Sequence, residues 1–336
     1  MTGSWTSSPA GRGDGLSFEQ LVPRALAHRR ALAEVFVADT APVGDNEFLA
    51  AIQLPRAHSL WFDRSVEYHD PMAALEAVRQ SLLVIGQRHL GVPGDAQATL
   101  QHLRFEVEDL SAFRDNEREP LEGVVRLRPD GDDATLSYFR NQSFEAVLTI
   151  AGARALTVHG SGITFPRAVY DDFRDWQRRQ QPSPPPNGCP GHLTLEPDRV
   201  GRRDPRNVVL AHTAAAPHDL IVVADRRHPS FFDHPYDHLP GPLMLEVFRQ
   251  AALYTATTAD ALPTPLAMPT AVTAELSSFA ELDADVSCTA VLAGDLAFGE
   301  IAVRVELHQH GTRIATARVE LTPYPGGTQR EGMGTL

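Results

Sequence analysis

The 336-residue chain contains no lysine; all 30 basic residues are Arg. That absence excludes a Schiff-base lysine and a phosphate-loop lysine together, so an anion bound here must be held by Arg, His or backbone N–H groups. Cysteine is almost as scarce. Cys189 and Cys288 are the only two, which is too few for a disulfide framework or a metal knuckle. No apolar run approaches the roughly 20 residues that span a bilayer, and the opening stretch MTGSWTSSPAGRGDG lacks the apolar core of a secretion signal; a cytoplasmic protein is expected. Positive charge is in short supply as well. A net charge of −13 argues against a general grip on nucleic acid or anionic membrane. There is no G-x-S-x-G elbow, so covalent catalysis has no obvious agent and direct attack by a substrate hydroxyl is the more economical chemistry. None of these patterns calls for a cofactor or a metal.

What the chain does contain is a repeat. Residues 55–81 and 225–251 align without a gap, displaced by 170 positions, with Arg56/Arg226, His58/His228, Phe62/Phe232, Asp63/Asp233, Leu75/Leu245, Glu76/Glu246, Arg79/Arg249 and Gln80/Gln250 identical. The Pro-rich stretch QPSPPPNGCPG separates the two copies and has the composition of a stiff connector. The expected organisation is a tail over 1–18, a first domain over 19–180, a linker over 181–192, a second domain over 193–325 and a tail over 326–336. Each copy reads as two strands (AEVFVADT and FLAAIQLP; NVVLAHT and HDLIVVAD), one long helix, then a run of antiparallel strands, with Gly152 and Gly311 at hairpin bends. The helix is apolar almost all round, and such a helix is buried. A curved antiparallel sheet wrapped round one central helix satisfies that pattern. The fold class is therefore α+β, a double hotdog, in which the two sheets can join edge to edge.

Asp70 before Pro71 predicts a helix start, and Gly241 before Pro242 a second. One turn further in, Glu76, Arg79 and Gln80, and again Glu246, Arg249 and Gln250, share one face at i, i+3 and i+4. An intrahelical salt bridge on a wet stripe is one explanation. It fits poorly with so apolar a helix, because a buried ion is costly unless paired. A structural polar network and a site both remain. As a site, Glu76 or Glu246 in a dry pocket would have a raised pKa and serve as general base. Arg79 or Arg249 offers a rigid fork that suits a phosphate or a carboxylate, and the helix N-terminus would receive a thioester oxygen.

Upstream of the second helix, RRHPSFFDHPYDHLPG gathers His228, Asp233, His234, Asp237 and His238. The prolines at 229, 235 and 240 break helical metal-ligand spacing, so a metal is not expected. A better reading is that His234 faces the pocket with Asp233 nearby, making His234 a second candidate base. Both copies also carry an H-x4-D spacing (His58/Asp63, His228/Asp233), a weak pattern by itself.

The blocks HPSFFDHPYDHLPGPLMLEVFRQAA and HDPMAALEAVRQSLLVIGQRHLGVP, with VPRALAHRRALAEVFVADTAPVGDNEFLAAIQLPRAHSLWF before them, resemble the A-factor biosynthesis hotdog family of actinobacterial γ-butyrolactone, butenolide and furan signal synthases over roughly residues 20–325. The resemblance implies transfer of a β-ketoacyl group from an acyl-carrier-protein thioester to a hydroxyl of dihydroxyacetone phosphate. It implies catalytic roles for Glu246, Glu76 and His234, and substrate contacts for Arg249, Gln250, Arg79, Gln80 and Asp233, the Gln orienting the Glu or the acyl chain; a homodimer is left open as an assembly. An acidic carrier would need a local Arg patch, for which RDWQRR (174–179) and RVGRRDPR (199–206) are candidates. The rival readings are a hotdog dehydratase or thioesterase, which would need no phosphorylated acceptor, and a binding module without turnover.

Overall fold

The computed structural model describes residues 15–129, 141–180, 192–213, 219–294, 299 and 301–324. The Pro-rich connector, Cys189 and the C-terminal tail fall outside the described residues.

The first copy runs β1 (Val37–Gly44), β2 (Glu47–Leu54), α1 (Pro71–His89), β3 (Gln97–Ala98), β4 (His102–Val107), β5 (Leu121–Pro129), β6 (Asn141–Ile150) and β7 (Ala153–Phe165). A connecting helix α2 (Arg167–Gln180) follows. The second copy runs β8 (His192–Thr194), β9 (Leu210–Thr213), β10 (Leu220–Val222), α3 (Gly241–Thr258), β11 (Ala267–Leu276), β12 (Ser287–Leu292), β13 (Ile301–Gln309) and β14 (Thr312–Pro323). The strands form a single sheet of order β1-β2-β5-β6-β7-β4-β11-β14-β13-β12-β10-β9-β8, with β3 pairing off this path onto β7. Its seam is the antiparallel pair β4–β11, where Phe105 lies opposite Val272. The two sheets thus join edge to edge, and α1 packs on β1, β2 and β5 while α3 packs on β12, β13 and β14.

Local chemistry explains the bends. The β6–β7 and β13–β14 hairpins turn through Ala151–Gly152 (φ +49° and +85°) and His310–Gly311 (φ +52° and +75°), the two consecutive positive φ values of a tight right-twisting hairpin. The helix starts differ between the copies. Asp70 caps α1, its Oδ1 accepting from the Met72 N–H at 2.9 Å. The second helix begins at Gly241 itself; its cap residue is Pro240, which has no side chain to bond the open N–H groups. The first strand begins later than its apolar run suggests, at Val37 rather than Ala33. The reason lies in α1: the Gln80 amide takes the Phe36 N–H at 2.9 Å and donates to the Glu34 carbonyl at 2.8 Å, doing the work of a neighbouring strand.

Candidate active site

The polar triads are buried ion-pair lattices, each completed by an Arg from upstream in its own copy. Around Glu76, Arg79 donates Nε to Oε2 (2.7 Å) and Nη2 to Oε1 (2.8 Å), Arg29 donates to Oε1 (2.5 Å), and Gln80 donates to the same oxygen (2.8 Å). Around Glu246, Arg249 donates at 3.0 and 2.6 Å, Arg202 at 3.0 and 2.8 Å, and Gln250 at 2.5 Å. Burial alone would raise both carboxyl pKa values, but the flanking guanidiniums outweigh it. Glu76 is held far below the usual carboxylate range and Glu246 is brought down to about 2. A raised pKa was expected; the structure gives the reverse, because each carboxylate faces two cations. A carboxylate saturated in this way is a poor proton acceptor.

The two copies brace each other with a pseudo-twofold set of contacts. Arg29 donates to the Ser230 carbonyl at 3.1 Å, and Arg202 to the Leu60 carbonyl at 2.7 Å. Asp233 accepts from the backbone N–H of Arg30 (2.6 Å) and Ala31 (3.0 Å); Asp63 accepts from those of Arg203 (3.1 Å) and Asp204 (3.1 Å). His58 and His228 each turn Nδ1 onto the N–H groups two and three residues ahead, at 3.1–3.2 Å. Their Nε2 atoms meet Glu34 (3.4 Å) and Asn207 (3.0 Å) respectively. The H-x4-D spacing is therefore architectural: the His folds its own turn and the Asp clips that turn to the other copy. Arg29 and Arg202 were missed from sequence. The signal was present, since HRRALAEVF (28–36) repeats as GRRDPRNVV (201–209), but it is displaced by 173 positions rather than 170.

Because of this cross-bracing, each helix meets the loop that precedes the helix of the opposite copy. His234 lines a cavity of about 1420 Å³ together with Glu76, Arg79, Arg29 and His28 of the first copy, Tyr236 beside it, and Gly241 and Pro242 at the N-terminus of α3, which no side chain caps. His234 Nδ1 is buried, lies 3.8 Å from Asp233 Oδ2 and makes no hydrogen bond. Burial first, then the Arg29 charge and more weakly that of Arg79, lower its pKa against the opposing pull of Asp233, so the ring is neutral near pH 7. His28 is pushed down to about 4, by burial first and then by Arg79, His234 and Arg29. It sits at φ +50° with a buried Nε2 that has no partner. Non-glycine residues seldom hold that conformation, and where they do a functional reason is worth seeking. Its counterpart Gly201 has φ +70°.

Around α3 the same construction is closed. Only about 20 Å³ remains between Arg249, Arg64, Tyr68, Asp70, Gly201 and Tyr324, room for about one water. Arg64, the counterpart of His234, is tied to Asp115 (2.6 Å) and to the Tyr68 carbonyl, while Tyr68 and Tyr324 pack ring on ring at 5.3 Å. Arg79 keeps 34% of its side chain accessible; Arg249 keeps 8%.

Several expected site residues accordingly move. Glu246 and Arg249 do not join His234, because the cross-brace pairs that loop with α1. Gln80 and Gln250, both fully buried, spend their amides on backbone and on their Glu, away from the cavity. Asp233 is first a clip on residues 30 and 31. The proposed Arg patches are partly counter-ions: Arg174 is buried against Asp237 and Glu281 at 2.9 Å, and Arg202 serves Glu246. Left facing the cavity are Glu76, Arg79 and His234, with Arg29, His28 and Tyr236 added.

Comparison with known proteins agrees with this architecture. The chain is 31% identical to the 2-oxo-3-(phosphooxy)propyl 3-oxoalkanoate synthase of Streptomyces virginiae, over 87% of this chain and 95% of that one. It is 27% identical to the enzyme of the same name from Streptomyces coelicolor, over 90% and 92%. A 12:0-ACP thioesterase from Umbellularia californica shares the fold at a TM-score of 0.51 and 10% identity, across 84% of this chain and all of that one. The A-factor biosynthesis hotdog domain matches residues 14–136 and 187–325, which span both copies and both Glu–Arg–Gln helices. This chain belongs to the A-factor biosynthesis hotdog family.

Proposed function

We propose that this protein transfers a β-ketoacyl group from an acyl-carrier-protein thioester to a hydroxyl of dihydroxyacetone phosphate, in the cytoplasm, at the open site beside α1. The observation that carries the reading is the convergence of a neutral His234, the partly exposed Arg79 and a large, mainly apolar chamber. The curated relatives, whose names describe a phosphooxypropyl 3-oxoalkanoate product, support the same reaction class. No described helix is long and apolar enough to cross a membrane.

His234 is the base. A small tightening of the 3.8 Å gap to Asp233 places Nδ1–H on that carboxylate and leaves Nε2 to accept a proton. The acceptor hydroxyl gives its proton to Nε2 as its oxygen bonds to the thioester carbon. The negative charge that builds on the carbonyl oxygen is met by the Gly241 N–H at the start of α3, where the helix dipole is positive. The C–S bond then breaks, and the imidazolium returns the proton to the thiolate. Arg79 offers its outer edge to the phosphate. Glu76 acts by holding Arg79 and Arg29 in place, a positioning role that suits a permanently ionised carboxylate.

The test is incubation with a β-ketoacyl thioester, with and without dihydroxyacetone phosphate, followed by mass spectrometry. The reading requires an acyl-phosphotriose mass only when the acceptor is present. Free β-keto acid or a dehydrated thioester formed equally well without acceptor would replace it with a thioesterase or dehydratase. His234→Ala should slow formation of the acceptor-dependent product by about 10²–10⁴-fold in the same assay.

A further inference from the structure

We propose that the Tyr236 hydroxyl donates to the phosphate of the acceptor beside Arg79, which makes Tyr236 a specificity-determining residue for phosphorylated trioses; the inference deepens the acyl-transfer reading above and rests on it. Two tyrosines line the chamber, Tyr170 and Tyr236. Tyr170 is already engaged. Its hydroxyl donates to Asp237 Oδ1 at 2.9 Å and lies 3.2 Å from His238 Nδ1. The Tyr236 hydroxyl has no hydrogen-bond partner among the described residues, and its oxygen is not sealed off by protein. Binding cavities use a few such polar groups on an apolar wall to orient a ligand. Three rings hold this one in place. The Tyr236 ring lies on that of His234, with centroids 4.2 Å apart, and meets Phe232 and His238 nearly at right angles, at 6.1 and 6.2 Å. A donor fixed in this way loses little freedom when it binds.

The surroundings of the phenol suit an anion. Arg79 spends Nε and Nη2 on Glu76 and keeps Nη1, with 34% of its side chain accessible. Of the charges that act on the phenol, that of Arg79 acts most strongly and that of Arg29 next. Burial, helped by Glu76 and Asp233, outweighs both and pushes the phenol above its usual range, so the O–H is kept at neutral pH. A phosphate between the two residues takes a charge-assisted bond from each. The contact with the His234 ring also fixes whose phosphate this is. A phosphate at the Tyr236 hydroxyl is within a triose's length of the base, whereas the phosphate of a carrier arm lies a whole arm away from its thioester. The other copy supplies the contrast. Val66 stands at the matching position, 170 residues upstream, on the wall of the small remnant around Arg249. The phenol accompanies the open chamber and is missing from the closed one, as expected of a ligand contact.

The test measures binding, apart from turnover. Dihydroxyacetone phosphate and non-hydrolysable β-ketoacyl thioethers of pantetheine and of phosphopantetheine are titrated calorimetrically, one at a time, into the wild-type protein and Tyr236→Phe. That change keeps the ring stack and removes only the hydroxyl. It should raise the Kd of dihydroxyacetone phosphate about 10–100-fold and leave both thioethers bound as before. An unchanged Kd for the triose phosphate would overturn the contact. So would an equal loss for all three ligands, which would mark the ring as packing, or a loss confined to the phosphopantetheine thioether, which would give the phosphate to the carrier arm. The two readings fail separately. If the triose phosphate binds through Tyr236 but no acyl-phosphotriose forms with a β-ketoacyl thioester, acyl transfer falls and the contact stands. If the product forms while Tyr236→Phe binds the triose phosphate like the wild type, the contact falls and acyl transfer stands.

Discussion

The surroundings of α1 and of α3 are built to one plan and used differently. Both present a buried Glu gripped by two Arg and one Gln, both sit under a loop from the opposite copy, and both start on a proline-marked turn. Around α1 the loop brings His234 and Tyr236, an α3 N-terminus without a side-chain cap, and a cavity of about 1420 Å³. Around α3 it brings Arg64, an α1 N-terminus capped by Asp70, and Tyr324 in the space a substrate would need. The shared part therefore reads as framework and the unshared part as chemistry. A carboxylate that is ionised and fully bonded in both copies stabilises the entry to each helix; in the proposed mechanism the imidazole in one copy is where protons move.

The largest expected effect tests the framework half of that division. Glu246→Gln strands Arg202 and Arg249, both buried, without a counter-charge, and should cost about 3–5 kcal/mol in urea unfolding. Glu76→Gln should cost less, because Arg79 can turn to solvent. Equal losses would remove the distinction. Next comes the chemistry. His234→Ala should lower kcat by about 10²–10⁴-fold with Tm unchanged, whereas Arg64→Ala, at the matching position, should lower Tm and leave kcat alone; a fall in kcat from Arg64→Ala would show that the closed site still takes part.

Acid titration sharpens the comparison further. Burial, the largest cause in each case, lowers His28, His69 and His228 to about 4 from 6.5. Below pH 6.5 the unfolded chain binds protons that the folded chain refuses, so stability should fall as pH drops from 6.5 towards 4. Glu246, held down to about 2, adds a second loss from about pH 4.5 towards pH 2 as the unfolded carboxyl protonates first. Urea midpoints across this range check both steps, and His28→Gln should flatten the first. The smallest effect is at the helix starts: Asp70→Ala should cost about 1 kcal/mol through the lost cap, while truncating Pro240 has no such bond to remove.

The duplicated plan was legible because its signals are local. Helical spacing put Glu76, Arg79 and Gln80 on one face, proline marked both helix starts, and alternating apolar residues marked the strands. The pairing of His234 with Glu76 was not legible, since the repeat aligns each loop with its own helix and only the fold carries the loop across. The sense of the carboxyl pKa shift was missed for a related reason. Burial was readable from the apolar helix, but Arg29 and Arg202 come from segments whose repeat offset changes by three residues, so the second cation at each Glu was overlooked. The closure around α3 depends on Tyr324, far along the chain from the helix it helps to seal.

The seam between β4 and β11 has a consequence for how such a protein can change. Two identical subunits meeting at that edge would share every substitution, so an aromatic that filled one chamber would fill its twin and end activity. A single polypeptide crossing the seam frees the copies from that obligation: one chamber can be sacrificed to rigidity while the other keeps its room for substrate.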